Sequence, residues 1–146
     1  MCSILGVFDL RPGADLQPLR PLALSLSARQ RHRGPDWSGV HADANALLVH
    51  ERLAIVDPAG GAQPIHSADG ALVLAVNGEI YNHRELERRL AKPYAFQTGS
   101  DCEVINALYR DGEAPETWLG RLNGIFAFAL WDAQAKRVLV ARDHMG

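Results

Sequence analysis

Phe126-Ala127-Phe128-Ala129-Leu130 alternates large and small apolar residues with a period of two. A helix repeats every 3.6 residues, so this spacing marks a strand with one bulky and one small face. Asp132-Ala133-Gln134-Ala135 follows as a turn, and Lys136 to Arg142 reads as the antiparallel partner. A second pair lies upstream, Trp37 to Ala42 and Ala46 to His50, joined at Asp43-Ala44-Asn45. Hairpins of this kind argue against a parallel doubly wound sheet, whose strands need long crossovers.

Working outward, Ile4 to Phe8 reads as a short buried strand, and Ala71 to Val76 as a strand covered on both faces. Pro18 and Pro21 suit the first turn of a helix, where a missing N–H costs nothing. Leu19, Leu22, Ala23 and Leu26 continue it with helical spacing to about Arg31. Asn82, three residues before Glu85, opens a helix over 82–91. Ser100, three before Glu103, reads as a capping box for a helix striped by Val104, Ile105 and Leu108 and stopped by Gly112. The order is strands, helix, strands, two helices, strands. Two sheets packed face to face with helices outside accommodate it, an α+β architecture.

Composition narrows the functional classes. Fifteen basic residues against seventeen acidic give a net charge of −2, so no basic excess exists to bind nucleic acid. The Ala71–Val76 run is too short to span a bilayer, and the first residues carry no positively charged leader. Cys2 and Cys102 make no disulfide framework, so the cytoplasm is the expected location. The six histidines show no metal-ligand spacing, and no phosphate-binding glycine loop occurs, so neither metal nor cofactor is expected in this chain.

Cys2 is the first candidate for chemistry. Loss of Met1 would make it the amino terminus, uniting a thiol with an α-amino group of pKa about 8 that can act as its base. The other reading is a buried cysteine at the start of a strand. Asn77-Gly78 pairs a side-chain amide with a glycine N–H, two donors suited to a developing oxyanion, or else forms a turn. Arg52 ends a strand and offers a fork for a carboxylate, or is a solvated loop residue. Asp101 could pair with a ligand ammonium or simply complement its helix dipole, and Glu79 and Asp57 share that ambiguity. Cys102 reads as packing.

Taken together, the segments closely resemble the glutamine-hydrolysing domain of asparagine synthetase, a class II, amino-terminal-nucleophile glutamine amidotransferase. The matching stretches are Met1 to Asp9, Arg31-His32-Arg33-Gly34-Pro35-Asp36-Trp37-Ser38-Gly39, His50 to Asp57 and Ala62-Gln63-Pro64. They continue with Val76 to Asn82, Thr98 to Glu103, Leu122 to Ala129 and Arg142-Asp143-His144-Met145-Gly146, in family order along the whole chain. Ser3 stands where many relatives carry glycine.

The resemblance implies a four-layer αββα sandwich of the amino-terminal-nucleophile type, with residues 1–146 forming one amidotransferase domain. It implies Cys2 as nucleophile, Asn77 and Gly78 as the oxyanion hole, and Arg52 on the α-carboxylate of glutamine. Glu79 and Asp101 would hold the α-amino end, and backbone groups of Leu53, Ala54, Ile55 and Val56 would line the pocket. Arg33-Gly34-Pro35-Asp36 looks like a loop supporting or covering it. The partners implied are glutamine, a synthetase domain in cis that uses ATP and Mg, and a second copy of the full-length protein. Alternatives are another class II amidotransferase or a non-catalytic module that binds glutamine or a partner. The resembled domain continues past Gly146, so a truncated sandwich with an open sheet edge and reduced stability is expected.

Overall fold

Among the described residues seven stretches become strands, and burial is complete along Ala46–Arg52 and over residues 72–76, the strands at the centre of the fold. The structure is a computed structural model and describes residues 1–145. The last residue of the Arg142–Gly146 motif therefore lies outside the described residues. The elements run β1 (Ser3–Phe8), α1 (Arg20–Ala28), β2 (Trp37–Ala42), β3 (Ala46–Arg52), β4 (Ile65–His66) and β5 (Leu72–Ile80). They continue with α2 (His83–Arg88), α3 (Val104–Asp111), α4 (Pro115–Leu119), β6 (Gly124–Asp132) and β7 (Arg137–Arg142). One sheet has the order β1-β3-β2 and the other β4-β5-β6-β7, every pairing antiparallel.

Three cores separate four layers. Ala46 and Leu48 of β3 meet Val73 and Ala75 of β5 and Ala129 and Trp131 of β6 between the sheets. Leu47 and Val49, the alternate residues of β3, face Ala23 and Leu24 of α1. Leu72, Leu74, Val76, Phe126, Phe128 and Leu130 face Leu86, Val104, Ile105, Leu108 and Trp118 on the opposite helix layer. The large face of β6 thus meets helices, and its small face lets the sheets approach. The expected αββα sandwich with two antiparallel sheets is what the chain adopts.

The two hairpins expected from the sequence, β2–β3 and β6–β7, are built by one device. Asp43 Oδ1 accepts the N–H groups of Asn45 and Ala46, each at 2.7 Å. Asp132 Oδ1 accepts those of Gln134 (3.0 Å) and Ala135 (2.9 Å). Lys136 has φ 51°, so it belongs to this turn and β7 begins one residue later than its sequence suggests.

Four local expectations change. The first helix ends at Ala28, short of Arg31, and passes into turns. Asn82 does not cap α2, because its amide spans instead to the Arg121 carbonyl and the Asn123 N–H, both at 2.9 Å. The Ser100–Glu103 capping box does not form. Ser100 Oγ accepts the Cys102 N–H at 3.3 Å, while the Glu103 carboxylate takes the N–H groups of Gln97 and Thr98 and the Thr98 hydroxyl. A 3₁₀ turn over Asp101–Glu103 precedes α3 as a result. Finally, β5 does not stop at Val76 but runs through Asn77-Gly78-Glu79 to Ile80, so Asn77-Gly78 is not a hairpin turn. The short β4 and α4 carry no sequence signal strong enough to announce them.

Candidate active site

The register of β1 on β3 sets the first wall of the site. Ser3 pairs with Glu51, so Cys2 falls beside the end of β3. Its thiol sits at Leu53, accepting the N–H at 3.3 Å and donating to the carbonyl at 3.6 Å. The Arg33–Asp36 loop supports this corner from behind. Arg33 Nε donates to the Cys2 carbonyl at 3.1 Å and Asp36 N–H to the Arg52 carbonyl at 3.0 Å. Gly34 is required there, since a Cβ would lie 2.1 Å from the Glu51 carbonyl oxygen.

The second wall is the end of β5. Because β4 has only two residues, the edge of β5 beyond Leu74 has no strand beside it. Side chains take over. Gln63 Oε1 accepts the Val76 N–H at 2.7 Å, and Asp101 Oδ2 accepts the Ile80 N–H at 2.6 Å. Gly78 lies between them. Its register partner Phe126 spends both backbone groups on Asp143, so the Gly78 groups face away from β6. The Cys102 thiol donates to the Gly78 carbonyl at 3.5 Å. The Gly78 N–H is left facing the cleft beside the Asn77 side chain. Gly78 has φ 152°, and a Cβ would lie 2.1 Å from the Ile125 carbonyl oxygen, so only glycine fits.

Arg52 closes the third side. Its side chain donates to the carbonyls of Pro58 (3.2 Å), Val56 (3.1 Å) and Asp57 (2.6 Å), wrapping the following loop around itself. Three of its five N–H donors are used, leaving Nε–H and one Nη1–H. Asp57, at φ 48°, ties this loop to the next by accepting the N–H groups of Gly60 (3.0 Å) and Gly99 (2.8 Å).

These walls enclose a cavity of about 180 Å³, lined by Cys2, Arg52, Leu53, Ile55, Val56, Asn77, Gly78, Glu79 and Asp101. Of the candidates weighed in the sequence, Asp57 does not line this cavity, and of the site residues the resemblance implies, all meet here except Ala54. Its N–H donates to Asp36 Oδ2 at 2.8 Å, and it lines a separate small cavity with Asp36 and Trp37. The lining also includes Gln63, Tyr81, Ser100, Cys102 and Ile125, none of which the sequence had placed there. Burial, and then the neighbouring Asp101, push the Cys102 thiol well above its ordinary pKa, which keeps it neutral.

The charge arrangement is that of an α-amino acid in reverse. A guanidinium stands on one side and two carboxylates, Glu79 and Asp101, on the other. A ligand with one carboxylate and one ammonium satisfies both. Among the described residues no cluster of three or more His, Cys, Asp or Glu forms a metal site. No helix among them is long and apolar enough to cross a membrane.

Comparison with known proteins matches the chain's sequence to a family. The glutamine amidotransferase domain family matches residues 1–146. Asparagine synthetase B [glutamine-hydrolyzing] of Escherichia coli (strain K12) is 56% identical over 146 residues, which is 100% of this chain and 26% of that protein. Asparagine synthetase [glutamine-hydrolyzing] 1 of Arabidopsis thaliana is 49% identical over the whole chain and 24% of its own length. Asparagine synthetase [glutamine-hydrolyzing] 2 of Oryza sativa subsp. japonica is 49% identical over 147 residues, with the same shares. The chain thus spans about a quarter of the length of these relatives. It belongs to the glutamine amidotransferase domain family.

Proposed function

We propose that this chain hydrolyses the side-chain amide of glutamine to glutamate and ammonia, with Cys2 as the nucleophile. The observation that carries the reading is the placement of the Cys2 sulfur across one cavity from the Asn77 amide and the outward-facing Gly78 N–H. Arg52 binds the α-carboxylate through an N–H that the loop carbonyls leave free, and Glu79 and Asp101 bind the α-ammonium.

The chemistry follows in two displacements. Removal of the exposed Met1 frees the α-amino group of Cys2, which takes the thiol proton. Sulfur bonds to the amide carbon, and the electron pair moves onto oxygen, where Asn77 and Gly78 donate to it. The C–N bond then breaks as the ammonium of Cys2 returns its proton to the leaving nitrogen, giving ammonia and a γ-glutamyl thioester. Water, deprotonated by the same amine, attacks the thioester and the C–S bond breaks, releasing glutamate and restoring the thiol.

The ammonia serves a carboxyl-terminal synthetase unit that uses ATP and Mg to amidate aspartate. The relatives support this, since their names pair glutamine hydrolysis with asparagine synthesis and their length exceeds the matched region about fourfold. The free thiols of Cys2 and Cys102 suit the reducing cytoplasm.

The test is glutamate release from glutamine by the chain beside a Cys2→Ala control, with the mature mass read in parallel. Equal release by both would defeat the catalytic reading, and so would retained Met1 in an active preparation. Asn77→Ala should lower kcat by on the order of a hundredfold with KM little changed. A raised KM with intact kcat would remove the oxyanion role.

A further inference from the structure

One buried residue outside the proposed reaction connects its two halves. His50 lies in β3 with no exposed surface, and its side chain crosses the gap between the sheets. Its Nε2 meets the Val76 carbonyl of β5 at 2.9 Å. A carbonyl only accepts, so Nε2 carries the hydrogen and Nδ1 is the bare nitrogen. That Nδ1 is buried without a hydrogen-bond partner among the described residues. An apolar side chain of similar size would fill the space without burying an unpaired nitrogen. The histidine is therefore a poor choice for packing alone.

Its two ends point to a different role. On the β3 side, His50 sits two residues before Arg52 and three before Leu53, whose N–H meets the Cys2 sulfur. Its register partners are Ile4 of β1 and Gly39 of β2. On the β5 side, Val76 immediately precedes Asn77 and Gly78. Its carbonyl accepts a second donor, Gln63 Nε2, also at 2.9 Å. Gln63 belongs to the segment against which Gly39 packs so tightly that a Cβ there would overlap the Gln63 carbonyl oxygen. The contact between the two sheets is thus fixed by polar groups at the row next to the site, while the sandwich core farther along is apolar.

Resting on the glutaminase reading above, we infer that His50 is a positioning residue: through its bond to Val76 it sets the distance between the Cys2 sulfur and the oxyanion donors of Asn77 and Gly78. It touches neither substrate nor sulfur. It acts on the transition state, because the donors must meet the oxygen where charge develops.

The test compares wild type, His50→Leu and His50→Gln. Leucine removes the donor. Glutamine carries an N–H at about the reach of Nε2. Steady-state glutaminase kinetics and the rate of Cys2 alkylation by iodoacetamide are read on each. His50→Leu should lose on the order of tenfold in kcat, with KM and the alkylation rate within about twofold of wild type. His50→Gln should recover kcat to within about threefold of wild type. Wild-type kcat in His50→Leu overturns the inference, as does a glutamine variant no better than leucine. A joint fall in kcat, substrate binding and alkylation also overturns it, because that pattern means general loosening. Should His50→Leu fail to fold, His50→Asn, too short to reach Val76, carries the same expectations. An inactive wild type refutes the glutaminase reading itself, whereas an active wild type with a fully active His50→Leu refutes only the positioning role.

Discussion

Burial of His50 makes the fold sensitive to acid in a way that can be isolated. Loss of hydration against the sheet interface pushes its pKa down from 6.5 to about 4. The Val76 carbonyl, which accepts from the ring, opposes that shift only partly. Between these values the unfolded chain binds a proton that the folded chain refuses, so stability falls as pH falls. The contribution is fully present above the ordinary histidine pKa and is lost as pH drops through the folded one. Between about pH 7 and pH 5 the loss amounts to about 2 kcal/mol, and it approaches about 3 kcal/mol below the folded pKa. Replacing His50 with glutamine keeps a donor for Val76 and removes the titration. Urea unfolding of wild type and His50→Gln at both pH values, extrapolated to water, gives the difference directly. His66, whose pKa is also lowered by burial and by His41, titrates in both proteins and cancels. The wild type should lose about 2 kcal/mol more than the variant on this change of pH. Parallel pH profiles for the two proteins would refute the reasoning, since they would mean that His50 is hydrated or already charged in the fold.

Gly78→Ala places a methyl group against the Ile125 carbonyl, so β5 and β6 must part at the site. A loss of about 2–3 kcal/mol in urea unfolding is expected, together with a fall in kcat. Arg52→Lys exchanges a fork for a point charge and abandons some of the carbonyls of residues 56–58. KM for glutamine should rise by the equivalent of about 1–3 kcal/mol while kcat holds. An unchanged KM would remove Arg52 from the carboxylate. Glu103→Gln turns an NH₂ group toward donors that the carboxylate accepts from Gln97 and Thr98. A loss of about 2–4 kcal/mol is expected by urea unfolding, with a raised KM, because the Thr98–Ser100 loop borders the cavity.

What could be read in advance follows the range of the forces involved. The β6–β7 hairpin is written locally, as two-residue alternation plus an aspartate that turns its own chain. The helix over residues 104–111 is likewise local, from its apolar stripe to the left-handed Gly112 at φ 94°. The capping box at Ser100 does not form because the Glu103 carboxylate is taken by Gln97 and Thr98, just upstream of Ser100, rather than by its own helix end. Asn77-Gly78 has the local signature of a turn, yet it is strand. What decides it is β6, whose residues Ile125 and Phe126 lie against it and exclude any side chain at Gly78. Among the candidate site residues, Cys2, Arg52, Asn77, Glu79 and Asp101 carry chemistry visible in their own side chains. Gln63 and His50 do not, since a side chain that satisfies another strand's backbone leaves no pattern in its own neighbourhood.

The shortness of β4 is the feature that joins fold to chemistry. A full-length neighbour would take every outward N–H of β5, including that of Gly78, and the strand would be ordinary sheet. With only Ile65 and His66 paired, the edge stays open where an exposed row of donors would invite another chain. Gln63 blocks the first of those donors and Asp101 the third. The one between them faces the cavity, and the glycine there leaves no side chain to obstruct it. The same two caps do further service, because Gln63 also holds the carbonyl that His50 grips and Asp101 supplies a wall of the cavity. On the proposed reading, the oxyanion donor is an edge-strand N–H left unpaired by the protein's own strands, and its direction is set by the sheet rather than by a loop.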